Sequence, residues 1–340
     1  MANSITVLNF GENSIQIAEG SSSNGKINVQ GFAASDNTPP IFQLLNEKTI
    51  QDVSKIIDGM TKTAKITNRN AMVVIPDTFT YSQIVTMPKL KEKELMSAIR
   101  YQADQFIPLP LEEAAIDLEI IYEDKVNNTY LVLIVATSQK LVSNLISIVE
   151  SSGLIPERLT NELSTISAFL SAVSKPSQTQ TGTLFLNMGV ATSSFYLFHE
   201  GLGMVVDNHV AKVGFDIFVK EIKANLNLEM GKATEALQSI GFQQSSMNIA
   251  EIVGPVVSDL EQEIRKFSLA MTEKHHIPVN KVILGGYACR INHFAEALSQ
   301  HIGVPATTYN LAQYLTQSPA LTSIKGVPAQ FINAISGCYA

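Results

Sequence analysis

In the stretch Thr183-Leu-Phe-Leu-Asn-Met-Gly-Val-Ala-Thr-Ser-Ser-Phe-Tyr-Leu-Phe-His-Glu-Gly201, apolar residues fill two arms on either side of Asn187-Met188-Gly189. This pattern predicts two strands joined by a tight turn. Gly189 admits a positive φ and a close approach to the backbone, and Thr192 supplies a hydroxyl beside exposed N–H groups. That composition is typical of a phosphate cradle, although an isolated Asn-x-Gly turn also suits an ordinary hairpin.

The same layout occurs near the N-terminus, in Ile5-Thr-Val-Leu-Asn-Phe-Gly-Glu-Asn-Ser-Ile-Gln-Ile-Ala-Glu-Gly20. An apolar strand leads to Asn9-x-Gly11, a hydroxyl follows at Ser14, and a second strand closes on a glycine. A third strand follows each copy, at Lys26–Ala34 and at Gly203–Val210. The repetition predicts two duplicated subdomains that face each other.

The composition places the chain among globular proteins of about two domains. It has 340 residues, of which 45% are hydrophobic, and can bury a sizeable core. No window reaches the roughly 18 continuous apolar residues of a membrane span, and no signal peptide is recognisable. Cys289 and Cys338 have neither metal-binding spacing nor a disulfide framework. We therefore expect a cytoplasmic protein with both cysteines in the core.

Charge and histidine spacing argue against nucleic acid and metal ions as ligands. The formal net charge of −7 leaves no basic field for a phosphate backbone. The adjacent pair His275-His276 would point to different faces of a helix, and no Glu-x-x-His or His-x-x-x-His spacing occurs. We expect neither nucleic-acid binding nor a metal site.

The segment Thr86–Ile121 predicts a small inserted subdomain. Leu95, Ile99, Gln102 and Phe106 fall on one face of a helix, which Pro108 ends. In the strand that follows, apolar residues alternate with acids, and a second strand spans 130–136. The acidic alternation suits a partner-binding strand and, equally, the solvated face of an edge strand.

The remaining pattern divides the chain into halves. A helix over 50–64 leads into the apolar strand Ala71–Ile75, which predicts a crossover into a buried parallel position. The polar stretch 175–182 reads as a linker. We predict a first half at 1–175, with an insertion at about 88–137, and a second half at 176–340 whose final helix returns to the first half.

With these pieces placed, the chain resembles the PilM family of actin-like proteins of type IV pilus assembly, relatives of the cell-division protein FtsA. The resemblance covers essentially the whole length, and its most specific part runs from Met87-Pro88-Lys89 to Ile121. It implies an α/β, actin-like (ribonuclease H-like, duplicated) fold. It also implies a nucleotide site, with two phosphate loops and an adenosine loop. The cofactor-binding residues that it implies are Asn9, Gly11, Ser14, Asn187, Gly189, Thr192, Gly214, Glu235, Gly285 and Gly286.

The sequence departs from the family where a nucleotide would be held. The family carries Asp-x-Gly in each phosphate loop, whereas this chain has Asn9 and Asn187, and amides are poor ligands for Mg²⁺. Val213 replaces the first of two glycines, and Gln238 stands where the family has a lysine. These changes predict weak or lost binding of ATP and Mg²⁺ and no catalytic residues. The alternative is that other side chains have taken over these roles in an active Mg-ATPase that cycles between cleft states.

The resemblance also implies a function as a scaffold at the inner membrane. The chain would bind the cytoplasmic N-terminal tail of a PilN-like bitopic protein, in a groove between the inserted subdomain and the body. We predict that Leu95, Ile99 and Phe106 lie near that groove, although the same helix face suits a core. The motor ATPase of the pilus is a further partner that the resemblance leaves open. A related scaffold of type II secretion is a weaker alternative, because that family continues into a membrane span.

Overall fold

A computed structural model of the chain describes residues 4–36, 38–42, 46–91, 94–95, 97–98, 107–322 and 328–339. The strands, in chain order, are β1 (Ile5–Phe10), β2 (Ile15–Ser23), β3 (Lys26–Ser35), β4 (Asn70–Ile75), β5 (Tyr81–Pro88), β6 (Ala114–Asp124), β7 (Thr129–Ser138), β8 (Ile155–Asn161), β9 (Gly182–Met188), β10 (Ser193–His199), β11 (Met204–Ala211), β12 (Val279–Gly286) and β13 (Ala306–Thr308). The helices are α1 (Glu47–Thr63), α2 (Gln139–Ser151), α3 (Glu162–Val173), α4 (Phe215–Leu226), α5 (Met230–Ser239), α6 (Ile249–Ile252), α7 (Gly254–His275), α8 (Phe294–Ile302), α9 (Pro319–Thr322) and α10 (Ile332–Gly337).

Two five-stranded sheets repeat one topology. Their strand orders are β3-β2-β1-β4-β8 and β11-β10-β9-β12-β13. In each sheet an antiparallel meander is extended by two strands that run parallel to its first strand. The duplication and the α/β class predicted from the sequence are confirmed. Residues 71–75 of β4 are all buried, as expected for an apolar strand that enters a sheet covered on both faces.

Helices α1 and α2 cover one face of the first sheet. Helix α1 begins at Glu47, earlier than the predicted residue 50, because the side chain of Asn46 accepts a hydrogen bond from the Thr49 N–H at 2.9 Å and caps it. Its buried stripe includes Val53 and Ile57, which belong to the same apolar cluster as Leu145 of α2. The amphipathic pattern read from the sequence therefore faces the core.

Helices α3 and α10 lie where the two sheets meet. Phe169 of α3 and Ile335 of α10 share one buried cluster with Val7 of the first sheet and with Phe185 and Tyr196 of the second. Helix α10 contacts β1, β2 and α3. One apolar core is thus continuous from the first sheet to the second. It holds the two sheets so that the turns after β1 and β9 lie opposite each other.

A third sheet, of order β5-β7-β6, is antiparallel throughout. The sequence pattern does not predict β5, because its apolar residues do not alternate regularly with polar ones and only Ile84 and Met87 are buried. Pairing with the apolar strand β7 makes this segment an edge strand of the third sheet. Helix α6 ends at Ile252, and α7 begins at Gly254 with a proline in its first turn.

Candidate functional site

The two Asn-x-Gly turns face each other across a closed cleft between the sheets. A cavity of about 40 Å³ lies there, lined by residues of both halves. Most of the residues predicted to bind the cofactor line it: Asn9, Gly11, Ser14, Asn187, Gly189, Thr192 and Gly286. Gly285 lies beside Asn187 in the β9–β12 ladder. Glu235 is exposed on α5 and does not line the cavity.

Gly189 of the second Asn-x-Gly turn (residues 187–192, called the second turn below) and Gly286 of β12 beside it have no room for a side chain. Gly189 does not adopt the positive φ expected of it; instead, its N–H donates to the Thr192 carbonyl at 2.7 Å, and an added Cβ would lie 2.9 Å from that oxygen. Gly286 does have a positive φ, of 65°, and its Cβ would lie 2.3 Å from the Met188 carbonyl. The backbones of β9, β10 and β12 therefore converge on this turn.

Gly214 seals the turn from behind. An alanine Cβ there would lie 2.4 Å from the Val190 carbonyl oxygen, although the φ of −129° suits any residue. We expect Gly214→Ala to lower the free energy of unfolding by about 2 kcal/mol, because the backbone of the turn must move. Urea denaturation tests this, with Gly231→Ala as the control, since an added Cβ there meets nothing within 4 Å. Equal stability of Gly214→Ala and the wild type would contradict the close packing.

Glu12 crosses the cleft and binds the second turn. Its carboxylate accepts hydrogen bonds from the Ala191 N–H at 2.6 Å and from the Thr192 hydroxyl at 3.3 Å. Burial raises the pKa of Glu12, and these two hydrogen bonds oppose the rise. The sequence reading did not select Glu12. The sequence feature that could have identified Glu12 is its position: it is an acidic residue directly after Asn9-x-Gly11, in a loop of the kind that binds phosphate.

A second contact joins the halves nearer the rim of the cleft. Asp36, at the end of the first meander, accepts hydrogen bonds from the Tyr287 hydroxyl at 3.1 Å and from Arg290 at 3.0 Å. The Arg290 guanidinium lies 5.0 Å from the centre of the Tyr287 ring and 5.7 Å from that of Phe215. With its amide oxygen turned to the guanidinium, Gln238 accepts from Arg290 at 2.8 and 2.9 Å. Arg290 is therefore fully engaged with protein groups.

Buried acids lie beneath the cleft. Asp77 accepts hydrogen bonds from the Leu163 N–H at 3.0 Å and from the Tyr196 hydroxyl at 2.6 Å. Burial raises the pKa of Asp77, and burial together with the charge of Asp77 raises the pKa of Glu162 well above its usual value. Glu162 accepts from the Asn333 amide, whose oxygen in turn accepts from Asn187 at 3.0 Å. This series of hydrogen bonds links the second turn to α3 and α10.

Three amide oxygens face the cavity without a hydrogen-bond donor. They belong to Asn9, Gln16 and Asn187, which are all more than nine-tenths buried. Asn9 and Gln16 are direct partners in the β1–β2 ladder, so their side chains are neighbours on one face. These three amides make the lining of the cavity polar but add no charge to it.

The residues of this closed cleft do not fit a magnesium nucleotide. Small-molecule sites usually offer about 300–1,000 Å³, and this cavity is far smaller. Among the described residues, none that line it is a lysine or an arginine, and no group of three acids, histidines or cysteines is placed to hold a metal ion. The carboxylate of Glu12 already occupies the donors of the second turn.

A narrow groove separates the third sheet from the first sheet. It has a volume of about 90 Å³ and lies between β6 and β8, each the edge strand of its sheet in the part of the chain that the structure describes. Leu133 and Val135 of β7 form an apolar floor. The walls comprise Asp117, Leu118 and Glu119 of β6, Arg158, Leu159, Thr160 and Asn161 of β8, and Ser164 of α3.

The residues predicted to contact a partner have different outcomes. Leu95 is fully buried and packs with Met87, Val132 and Ile134 in the core of the third sheet. Ile99 and Phe106 lie outside the described residues. The part of all three in partner binding stays a prediction.

A family model and a solved structure both match this chain over most of its length. The family model for "Type IV pilus assembly protein PilM" matches residues 8–325. A solved structure described as the PilM-PilN type IV pilus biogenesis complex is 19% identical, has a TM-score of 0.80, and covers 99% of this chain and 97% of its own.

Two more distant structures share the fold. The ethanolamine utilization protein EutJ from Carboxydothermus hydrogenoformans is 10% identical, with a TM-score of 0.58, and covers 99% of this chain and 90% of its own. A Bacteroides thetaiotaomicron protein with an actin-like ATPase fold and unknown function is also 10% identical, with a TM-score of 0.53, and covers 98% and 95%. The predicted actin-like fold is thereby confirmed. None of the helices in the described ranges has the length and apolarity to cross a bilayer.

Proposed function

The chain belongs to the PilM family of type IV pilus assembly proteins, and we propose that it is an actin-like scaffold that binds the cytoplasmic N-terminal tail of a PilN-like inner-membrane protein. Through that tail it would be a peripheral protein of the cytoplasmic face of the inner membrane. The observation that carries this proposal is the groove between β6 and β8.

Both walls of the groove are strand edges without a neighbouring strand in the described part of the chain, although the Leu118 N–H in β6 donates to the Asp117 carboxylate at 2.9 Å. Within the described residues, β6 pairs only with β7 and β8 only with β4. An extended peptide can add to such an edge through main-chain hydrogen bonds, while alternate side chains enter pockets. Strand β6 also exposes Ile120 by 45% and Tyr122 by 38%. Large apolar side chains on an open edge favour a strand that is covered by a partner.

The groove also indicates which kind of tail it accepts. Its floor of Leu133 and Val135 suits an apolar side chain, and its volume of about 90 Å³ suits a slot for single side chains. Asp117 and Glu119 are exposed on β6 and lie opposite these two residues in the β6–β7 ladder. An extended segment with alternating apolar and basic residues is the complement of the floor and of the β6 wall, while Arg158 on the β8 wall suits an acidic group of the tail.

In the same proposal, nucleotide binding is weak or lost. Asn9 and Asn187 carry no charge to hold Mg²⁺, and the cleft is closed on protein side chains. We therefore favour a binding protein over the alternative of an ATPase that cycles between cleft states.

The acidic wall provides the test. We expect Asp117→Lys with Glu119→Lys to weaken binding of the tail by about tenfold at low salt, because both acidic charges on the β6 wall are reversed. Added salt should shrink this loss through screening. The probe is a fluorescein-labelled peptide with the N-terminal sequence of the PilN-like protein of the same pilus system, titrated by fluorescence anisotropy.

A matched variant separates the groove from net charge. Glu112→Lys with Glu113→Lys makes the same change of charge at exposed positions just before β6, outside the groove. We expect its affinity to stay within about twofold of the wild type. An equal loss in both double variants would mean that the tail senses only overall charge, and the groove assignment would then be wrong.

A further inference from the structure

We propose that Glu12 is an internal ligand of the second turn: it occupies two anion-binding donors, the Ala191 N–H and the Thr192 hydroxyl, and so holds the cleft closed without a nucleotide. This inference goes beyond the scaffold function and does not depend on it. It assigns a role to a side chain that lies on the opposite half of the molecule from the donors it binds.

Contacts other than those of Glu12 hold the second turn in place. The Gly189 and Val190 carbonyls accept hydrogen bonds from the first N–H groups of α4, those of Phe215 at 3.1 Å and Asp216 at 2.8 Å. The Ala191 N–H is left to point into the cleft, above the N-terminus of a twelve-residue helix. Backbone donors at such a place attract a negative group, and the group found there is the Glu12 carboxylate.

The contact uses both oxygens of the carboxylate. Oε2 accepts from the Ala191 N–H at 2.6 Å, and Oε1 accepts from the Thr192 hydroxyl at 3.3 Å. A charged acceptor on a backbone N–H is the strong class of hydrogen bond. A phosphate oxygen would require the same two donors, so Glu12 and a phosphate exclude each other.

The surrounding charges work against an incoming anion. Asp216 lies close enough to raise the pKa of Glu12 further, and Glu12 in turn contributes to the raised pKa of Glu162. No lysine or arginine lines the cavity among the described residues. Arg290 lies nearer the rim and is already paired with Asp36. A phosphate would thus have to displace one acid and remain beside two others.

Removal of the Glu12 side chain tests the inference. In Glu12→Ala, we expect the Ala191 amide proton to exchange with solvent at least about tenfold faster than in the wild type, because its acceptor is gone. Pyrophosphate, used as the probe in calorimetry, should bind at least about tenfold tighter, because the donors are vacant. Glu273→Ala, at an exposed position of α7, is the control and should match the wild type in both measurements.

Glu12→Gln keeps an acceptor but removes the charge, and it guards against a failure of Glu12→Ala to fold. Its exchange rate should lie between those of the wild type and the alanine variant. Wild-type exchange at Ala191 in either folded variant, or unchanged pyrophosphate affinity in the folded alanine variant, would overturn the inference. Neither measurement involves the tail peptide, so its result is separate from that of the proposed function.

Discussion

Asp77→Ala is expected to lower the free energy of unfolding by about 3 kcal/mol, the largest loss of stability that we predict for a single polar side chain. The carboxylate of Asp77 accepts from the Leu163 N–H in the first half and from the Tyr196 hydroxyl in the second. Alanine would leave both donors without a partner in a region where Leu163 and Tyr196 are fully buried. Urea denaturation measures the change.

Asp77→Asn is the matched variant. Its amide oxygen can accept from Leu163 and its NH₂ group can donate to the oxygen of Tyr196, so we expect a change within about 1 kcal/mol of the wild type. A stable Asp77→Ala variant would contradict the account, because it would mean that the two donors find other partners.

The free energy of unfolding of the wild type should also depend on pH differently from that of Asp77→Asn. Burial raises the pKa of Asp77 above its ordinary value of 3.8, so the folded state binds more protons than the unfolded state. The stability of the wild type should therefore fall as the pH rises from about 3.8 to the raised value, and Asp77→Asn should show a smaller decrease, because Glu162, whose pKa burial also raises, still loses its proton. Across that interval Asp77→Asn should become more stable relative to the wild type. If it became less stable instead, the raised pKa of the buried Asp77 carboxyl group would be contradicted.

Thr160→Trp is expected to reduce the affinity for the tail peptide by roughly 100-fold, the size of effect seen when the centre of an interface is lost. Thr160 lines the groove from β8 and is half-buried there. An indole at this position would fill much of the 90 Å³ that an incoming side chain needs. Fluorescence anisotropy with the labelled tail measures the loss.

The control for this variant lies on the same strand. Glu157 is exposed and does not line the groove, so Glu157→Trp adds the same indole to β8 at another place. We expect it to bind the tail as the wild type does. If both tryptophan variants bound normally, the tail would occupy another surface.

The duplicated sheets were predictable because their signals are local. Each meander contains its own apolar strands and its own Asn-x-Gly turn, and the apolar run of β4 predicts its buried position. The strand β5 was missed, since its few buried residues become a strand only through pairing with β7. The core position of Leu95 was left open, because one helix face suits either a core or a partner.

The candidate sites were predictable only in part. The sequence indicated that both turns meet at one cleft, and the resemblance to the PilM family implied a partner groove beside the inserted subdomain, which stays a prediction. It did not reveal Glu12 on Ala191, or the network of Asp77, Glu162 and Tyr196, because residues 12 and 191 are 179 positions apart and meet only after both halves close. Such contacts depend on the angle between the halves, which no local pattern encodes.

The most direct test of the scaffold account is hydrogen–deuterium exchange of the full chain with and without the tail peptide. If the tail pairs with the edge of β6, backbone amides over 115–121 and 158–161 should exchange more slowly when it is bound, and amides of the second turn at 188–192 should not change. Slower exchange confined to 188–192, or no change in β6 and β8 when the tail is bound, would contradict pairing of the tail with β6.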